Sequence, residues 1–173
     1  MRPPLSRLPA LLRAAARART RAYAPYSGFQ VGAAVLAGGR IFAAGNLENS
    51  AYPLSVCAER NAVAMAVNAG HRRIDAIAIV GGEGRPAAPC GGCRQVLAEF
   101  CAGDAPVLYA ASGGRSVTTD VSALLPDAFG PADLIKAAKV GVRGGDPAGI
   151  RRGAARVRGA HRRRRRRRRA TPV

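Results

Sequence analysis

The chain has 173 residues, a hydrophobic fraction of 48% and a formal net charge of +18. This length suits one domain with a substantial core and is too short for two. The charge is concentrated at the ends, because thirteen arginines and a single acid follow Lys139, and residues 1–21 contain six arginines and no acid, whereas residues 22–139 are formally neutral. The strong basicity therefore belongs to the two ends and not to the presumed domain.

The N-terminus and the four cysteines bear on the compartment. A secretory signal peptide needs an uninterrupted apolar stretch, but Leu11-Leu12 is followed at once by Arg13. No segment reaches the length of a transmembrane helix. We therefore expect a cytoplasmic protein without membrane contact, whose reduced thiols serve metal or redox chemistry. The alternative that stays open is a mitochondrial transit peptide, which an arginine-rich, acid-free N-terminus also resembles.

The first predicted elements are a helix and a β-hairpin. Leucines and alanines recur at helical spacing in residues 5–22, which predicts an amphipathic helix with its arginines in solvent. Residues 29–36 and 40–44 are predicted strands, because these mostly apolar runs flank the turn residues Gly38-Gly39.

The elements that follow alternate between helix and strand. Residues 57–69 are rich in alanine and predict a helix, and residues 74–80 form an apolar, β-branched run typical of a strand buried on both faces. A helix is then predicted over 90–101, with strands over 106–110 and 116–119. Such alternation after an opening hairpin predicts an α/β fold, in which helices pack on a mixed five-stranded sheet.

The pattern stops after Lys139, where Gly, Arg, Ala and Pro dominate. The eight consecutive arginines at 162–169 repel one another and cannot bury enough surface to offset their ordering entropy. We therefore divide the chain into a domain over residues 1–139 and a disordered, arginine-rich tail over residues 140–173.

Three cysteines and one glutamate carry the strongest functional signal. Cys57 opens one predicted helix, and Cys90 and Cys93 open another, so that two helix N-termini present thiols whose pKa the helix dipoles lower. Three thiolates can hold a tetrahedral Zn²⁺ and leave its fourth position to water. Glu59 lies two residues from Cys57 and is predicted to face that position as a general base and then a general acid.

Two arginines adjoin these residues in sequence. Three thiolates on a divalent ion leave an excess negative charge, which a nearby cation would offset. Arg60 follows Glu59 and Arg94 follows Cys93, so we expect both guanidinium groups to donate hydrogen bonds to the sulfurs.

Two alternatives to an open catalytic zinc site exist. A closed structural site needs a fourth ligand, but Cys101 lies eight residues beyond Cys93, roughly 12 Å along the helix axis, and neither histidine has a partner at ligand spacing. A redox Cys-x-x-Cys pair is the second alternative. Gly91-Gly92 between the two thiols, and Cys57 beside an acid, favour zinc.

The ordered set of motifs resembles one family, the small homotetrameric cytidine deaminases, which belong to the cytidine and deoxycytidylate deaminase superfamily. The resemblance runs from about Ala22 to Leu134. It rests on the motifs 22–29 (Ala-Tyr-Ala-Pro-Tyr-Ser-Gly-Phe), 31–34, 45–49, Tyr52, 57–60 (Cys-Ala-Glu-Arg), 89–95 (Pro-Cys-Gly-Gly-Cys-Arg-Gln) and 124–129.

The resemblance implies a three-layer α/β/α fold and the hydrolytic deamination of cytidine and deoxycytidine to uridine and deoxyuridine, a step of pyrimidine salvage. In that family a zinc-bound hydroxide attacks C4 of the ring, and the glutamate matching Glu59 shuttles a proton to N3 and then to the departing amine.

The resemblance also implies the residues that contact the substrate. The positions matching Asn46 and Glu48 hold the ribose hydroxyls, and the ring matching Phe29 packs on the pyrimidine. Ala58 matches a further substrate contact. Three further positions match Ala51, Tyr52 and Phe129. In the family, residues at these positions contact the active-site pocket of a neighbouring subunit, so the active site is completed in a homotetramer.

Plainer explanations of these residues remain open. Phe29 begins a predicted strand, where an aromatic side chain is more often part of the core. The segment from Asn46 to Asn49 has the composition of an ordinary polar turn. Phe129 could cap the core from a C-terminal loop.

Three other functions compete with nucleoside deamination. A related enzyme could deaminate a cytosine-nucleoside antibiotic such as blasticidin S, and a polynucleotide cytosine deaminase would act on an extruded base. The latter enzymes commonly use His-x-Glu where this chain has Cys57-x-Glu59, and residues 22–139 offer no obvious basic channel. A non-enzymatic zinc module has no use for Glu59. The tail is interpreted as an inert extension, with a tether to nucleic acid or to a membrane as the alternative.

Overall fold

A five-stranded sheet in the order β2-β1-β3-β4-β5 forms the centre of the protein. It is seen in a computed structural model that describes residues 5–131, 133 and 134. The strands are β1 Val31–Ala37, β2 Arg40–Gly45, β3 Ala76–Glu83, β4 Pro106–Ser112 and β5 Ser116–Asp120. Only β3 and β4 run parallel, whereas the other neighbours are antiparallel. The predicted mixed five-stranded sheet is confirmed.

The opening hairpin joins β1 to β2 through Gly38 and Gly39. Both glycines have positive φ values, 55° and 77°, a conformation that costs a side chain-bearing residue energy. The turn brings Ala37 opposite Arg40 and Gly32 opposite Gly45. This register directs the alternate side chains of β1 into two separate apolar clusters.

Helices cover both faces of the sheet, which makes the predicted three-layer α/β/α arrangement. The helices are α1 Leu8–Arg19, α2 Ala58–Asn68, α3 Gly91–Phe100 and α4 Val121–Leu124. The helix α1 buries Leu11 and Ala15 against Ala34 and Ala78 of the sheet. On the opposite face, α2 and α3 pack Ala62 and Leu97 into the other cluster.

The N-terminal helix lies unusually close to β1. A Cβ atom at Gly32 would stand 2.0 Å from the carbonyl oxygen of Ala15 and 2.3 Å from the main-chain nitrogen of Arg19. Both obstructing atoms belong to the backbone, so they cannot rotate aside. The absence of a side chain at Gly32 is therefore what permits this contact between helix and sheet.

Several boundaries differ from the sequence-based predictions. The helix predicted over 5–22 begins as a 3₁₀ turn at Leu5–Arg7 and ends at Arg19. The strand predicted from residue 29 starts at Val31, because a turn at residues 25–27 is followed by Gly28, whose φ of 67° lies outside the β region. The helix α4 was not predicted, since four residues are too few to show a periodicity.

All these elements belong to one unit that ends at Gly130. No described helix combines the length and the apolar character needed to cross a bilayer. The domain boundary predicted at residue 139 and the predicted disorder of residues 140–173 lie outside the described residues.

Candidate active site

The three predicted ligand cysteines converge where two helices begin. Cys57 is the N-cap residue of α2 and Cys90 that of α3, while Cys93 lies in the first turn of α3. Their sulfur atoms all lie within 4.8 Å of one another, and 3.9 Å separates those of Cys57 and Cys90. The predicted convergence of the three thiols is confirmed.

This donor set fits a zinc ion. Thiolates bound at about 2.3 Å in a tetrahedral site lie about 3.8 Å from one another, which matches the observed spacing. Among the described residues this cluster has no fourth Cys, His, Asp or Glu. Cys101 follows the opposite end of α3, where Ile74 forms a β-bridge with it. These residues therefore do not form a closed, four-ligand structural zinc site.

The electrostatics of the thiols also suit metal binding. The pKa of Cys57 is lowered to about 5, first by the hydrogen bond from Cys93 and then by the guanidinium of Arg60. The pKa of Cys93 is raised, first by its hydrogen bond to Cys57 and then by burial of its thiol. Metal binding replaces such a proton, which couples affinity to pH.

The two arginines have different roles. One terminal nitrogen of Arg60 lies 3.8 Å from the sulfur of Cys57 and donates to the carbonyl oxygen of Ser55 at 3.1 Å. Its Nε is buried and has no hydrogen-bond partner in the described part of the chain. Arg60 thus supplies positive charge beside a ligand sulfur, as expected from its sequence position.

Arg94 does not make the expected contact with sulfur. Its Nε donates to the carbonyl oxygen of Pro89 at 2.9 Å, and its Nη1 donates to that of Leu124 at 3.0 Å. Two carbonyl acceptors satisfy this guanidinium, so it ties the residue before Cys90 to the end of α4. Sequence position alone did not reveal this, because Leu124 lies thirty residues away.

Glu59 is a buried carboxyl group beside the sulfur cluster. It lies in the first turn of α2 and is only 5% exposed. Burial raises its pKa, and the charge of Cys57 adds to this effect. A carboxyl group of raised pKa, held next to a metal site, is suited to taking up and releasing a proton during catalysis.

A cavity of about 630 Å³ adjoins the cluster. Most of the predicted substrate and ligand residues line it together, namely Phe29, Asn46, Glu48, Tyr52, Cys57, Ala58, Glu59, Arg60 and Cys90. Ala51, Phe129, Cys93 and Arg94 are not among its lining residues. Sequence reasoning missed Ser27 and Ser55, which also line the cavity and whose side chains make local hydrogen bonds.

Part of the cavity wall is built from a polar network. The amide of Asn46 accepts from the nitrogen of Val31 at 2.8 Å and donates to the carbonyl oxygen of Phe29 at 3.1 Å. Glu48 is buried and accepts hydrogen bonds from the Tyr26–Ser27 segment, first among them that of the Ser27 hydroxyl, which lower its pKa. The burial of Glu48 and the hydrogen bonds of both side chains distinguish this segment from an ordinary exposed polar turn.

The aromatic residues near the cavity are exposed. Phe29 is 50% exposed and lines the cavity, so it is not a core residue. Tyr52 is 71% exposed at the rim, and Phe129 is 61% exposed, so it does not cap the core. Gln95 donates to the carbonyl oxygen of Phe129 at 2.8 Å, which anchors that segment to α3.

Comparison with known proteins points to one family. Residues 6–109 match the family model described as the cytidine and deoxycytidylate deaminase zinc-binding region. The cytidine deaminase of Sporosarcina psychrophila is 49% identical over 124 residues, which are 71% of this chain and 91% of that protein. A second relative, the cytidine deaminase of Halalkalibacterium halodurans, is 46% identical over 72% of this chain and 95% of its own length.

Solved structures agree with the sequence comparisons. The 1.6 Å crystal structure of cytidine deaminase from Burkholderia pseudomallei matches with a TM-score of 0.68 and 46% identity, over 70% of this chain and 98% of that one. The crystal structure of cytidine deaminase from Mycobacterium tuberculosis matches with a TM-score of 0.59 and 40% identity, over 70% of this chain and 96% of that one.

Proposed function

This chain belongs to the cytidine and deoxycytidylate deaminase family, and from that membership we propose that it hydrolyses cytidine and deoxycytidine to uridine and deoxyuridine with release of ammonia. It is a zinc-binding hydrolase. The observation that carries the proposal is that buried Glu59 and the sulfur cluster adjoin one cavity, which Phe29, Asn46 and Glu48 also line.

The sulfur atoms of Cys57, Cys90 and Cys93 would hold the zinc ion. When bound, zinc supplies the Lewis acidity that makes water a nucleophile near neutral pH. Arg60 offsets part of the negative charge of the three thiolates, because its guanidinium lies against the sulfur of Cys57. Arg94 acts differently, by holding the backbone ahead of Cys90 in place.

Glu59 moves the protons of the reaction. Its raised pKa lets it accept the proton of the attacking water and donate it to N3 of the ring. The oxygen of that water forms the new bond to C4. Glu59 then takes the second proton from the hydroxyl group now on C4 and passes it to the 4-amino group, so that the C4–N bond breaks, ammonia leaves with the electron pair and a C4 carbonyl remains. The burial of Glu59 keeps bulk water from competing for this proton.

The charges of the cavity favour a nucleoside over a nucleotide. Among the described residues that line it, Arg60 is the single cation, and its guanidinium is engaged with Ser55 and Cys57. The phosphate group of a nucleotide would therefore lie near the negatively charged Glu48 and would have no free basic side chain to pair with among the described lining residues. An uncharged sugar hydroxyl can donate to that carboxylate, and the amide of Asn46 can both donate and accept.

The base would lie between Phe29 and the first turn of α2. The ring of Phe29 is half-exposed and lines the cavity, which suits stacking on a pyrimidine. Ala58 is buried at the start of α2 and lines the same cavity, which supports a contact between its main chain and the edge of the base.

We further propose a homotetramer whose active sites are shared between subunits. Several large apolar side chains are exposed at or near the cavity: Phe29, Leu47 and Tyr52 line it, and Leu54 lies two residues beyond Tyr52. Exposed apolar surface is typical of an interface when it forms a patch. Ala51, Tyr52 and Phe129 would then reach a neighbouring subunit's cavity. Sedimentation velocity of the purified chain tests the assembly, and a monomer at micromolar concentration would contradict it.

We place the reaction in the cytoplasm, in pyrimidine salvage. The cysteines of the described residues are free thiols, which suits a reducing compartment.

A substrate panel tests the proposed function. Zinc-loaded protein is offered cytidine, deoxycytidine, deoxycytidylate, blasticidin S and a cytosine-containing single-stranded DNA, and released ammonia is measured. We expect turnover of the two nucleosides and less than about 1% of that rate with the nucleotide, because a phosphate would lie unpaired near Glu48. Turnover confined to the antibiotic or to DNA would contradict the proposal. Glu99→Ala, a change at an exposed position of α3, is the control for preparation quality.

A further inference from the structure

The carboxylate of Glu48 is nearly saturated by its own protein. Its Oε2 accepts from the main-chain nitrogens of Tyr26 at 3.0 Å and Ser27 at 3.2 Å, and its Oε1 accepts from the hydroxyl of Ser27. A carboxylate offers about four acceptor sites. Three are used, so one site remains, on Oε1.

The hydroxyl of Ser27 has a fixed direction. Its oxygen accepts the main-chain N–H of Phe29 at 2.9 Å, and its single proton goes to Glu48. An ionised carboxylate can only accept, so the proton cannot lie the other way. Ser27 therefore connects the carboxylate of Glu48 directly to the backbone that carries the ring of Phe29.

The backbone of Phe29 is held from its other side by Asn46. The amide of Asn46 bonds the carbonyl oxygen of Phe29 and the nitrogen of Val31. Gly28 lies between Ser27 and Phe29 in the chain; its φ is 67°, and an added Cβ would meet nothing within 4 Å. The Ser27 hydroxyl therefore restrains the main-chain nitrogen of Phe29 across this glycine.

We propose that Ser27 is a positioning residue that determines how strictly the cavity selects a substrate with a sugar hydroxyl. Its hydrogen bond leaves one open acceptor site on the Glu48 carboxylate and fixes the orientation of that carboxylate. The proposal rests on the proposed function. A ligand whose hydroxyl donates to that site satisfies the buried carboxylate, whereas a ligand without the hydroxyl leaves the site unpaired. Without the Ser27 hydroxyl, Oε1 has two open sites, water can occupy both, and the carboxylate is free to turn.

The test compares discrimination between substrates. We would measure kcat and KM for cytidine, 2′-deoxycytidine and 3′-deoxycytidine with the wild-type chain, Ser27→Ala, Ser27→Thr and Ser112→Ala. The serine of the last variant lies at the end of β4, outside the cavity, and accepts from Arg19 at 3.2 Å. The wild type should disfavour at least one deoxy analogue about tenfold or more in kcat/KM, the range of a hydrogen bond to a charged group.

Ser27→Ala should reduce that discrimination at least about fivefold, mainly through a higher KM for cytidine, by loss of the same bond. Ser27→Thr, which keeps a hydroxyl, should restore it, and Ser112→Ala should match the wild type. An active Ser27→Ala whose kcat/KM falls by one factor for all three substrates would overturn the proposal, since a merely structural role does that. A wild type that treats the three nucleosides alike would also overturn it.

Two further outcomes are separated by design. If Ser27→Ala does not fold, Ser27→Cys is judged by the same criterion, because a thiol is a poor hydrogen-bond donor at the same position. If the wild type deaminates none of the three nucleosides, the proposed function fails and this proposal falls with it. An unchanged discrimination ratio in an active variant removes this proposal alone.

Discussion

Arg94 donates a hydrogen bond of 3.0 Å to the main-chain oxygen of Leu124, and through its Nε it also holds the carbonyl oxygen of Pro89. The residue after Pro89 is the ligand Cys90. The last turn of α4 therefore supports the metal site without touching it.

Arg94→Gln should weaken the hold on zinc. Groups that position a ligand typically contribute 10–100-fold to metal affinity, so we expect zinc release to a chromogenic chelator to accelerate about tenfold or more. Arg115→Gln, at an exposed position, is the matched control. Equal release rates from the two variants would show that the contact with Leu124 does not support the metal site.

Glu59→Gln should separate metal binding from catalysis. The amide keeps the size of the side chain and cannot accept a proton, so kcat should fall by about 10²–10⁴-fold while zinc content stays near one per chain. Zinc is quantified by mass spectrometry and turnover by the loss of cytidine absorbance. Glu99→Gln provides the control, and a Glu59→Gln enzyme that retains the parental rate would refute the role of Glu59 in proton transfer.

Gly32→Ala should severely destabilise the protein. The added Cβ would lie 2.0 Å from the oxygen of Ala15 and 2.3 Å from the nitrogen of Arg19, so α1 must move away from the sheet. We expect a loss of about 3 kcal/mol or more, or insoluble protein, which exceeds the usual cost of overpacking. Gly114→Ala meets only a side chain at 3.7 Å and should change the midpoint of urea unfolding little. A Gly32→Ala protein as stable as the wild type would mean that α1 lies farther from β1.

The stability that Glu48 supplies should depend on pH. Its pKa is lowered from 4.5, first by the hydrogen bond from the Ser27 hydroxyl, so its contribution is complete above about pH 4.5 and is lost as the pH falls through the lower folded value. The free energy of unfolding of the wild type should exceed that of Glu48→Gln at pH 7, and the gap should narrow towards pH 3. Urea titrations across this range measure it. A gap that widens on acidification would contradict the lowered pKa.

Cys101 should resist alkylation in the folded protein. Burial raises its pKa to about 12, so very little thiolate is present at pH 7.5. After iodoacetamide treatment and peptide mass mapping, Cys101 should be labelled only once the protein is unfolded. Zinc should protect Cys57, Cys90 and Cys93 and leave the labelling of Cys101 unchanged. Zinc-dependent protection of Cys101 would place it at the metal site, against the geometry.

The elements with a strong local signal could be predicted from the sequence. The strand β3 begins with an unbroken apolar run over residues 76–80, and it is buried over most of its length. The three cysteines were recognisable because each lies at a helix start, where spacing alone brings two of them together. Local periodicity and turn chemistry dominate at such positions.

Partners distant in sequence could not be predicted. The guanidinium of Arg94 follows a ligand and was expected at sulfur, yet two carbonyl groups satisfy it, one of them in a helix too short to predict. Ser27 was likewise overlooked, because a serine in a Tyr-Ser-Gly turn is ordinary by composition. Its importance depends on Glu48, twenty-one residues away, which folding brings to its hydroxyl.

The three ligand cysteines lie before and after β3 in the sequence, and this order has a consequence for synthesis of the protein. Cys57 precedes α2, whereas Cys90 and Cys93 belong to the segment that crosses from β3 to β4. No stretch of the growing polypeptide holds the complete ligand set until Cys93 has left the ribosome. The sulfurs reach their final spacing only when α3 has packed beside α2 on the sheet. Coordination by all three sulfurs therefore requires tertiary assembly, which couples zinc affinity to the folding of the domain.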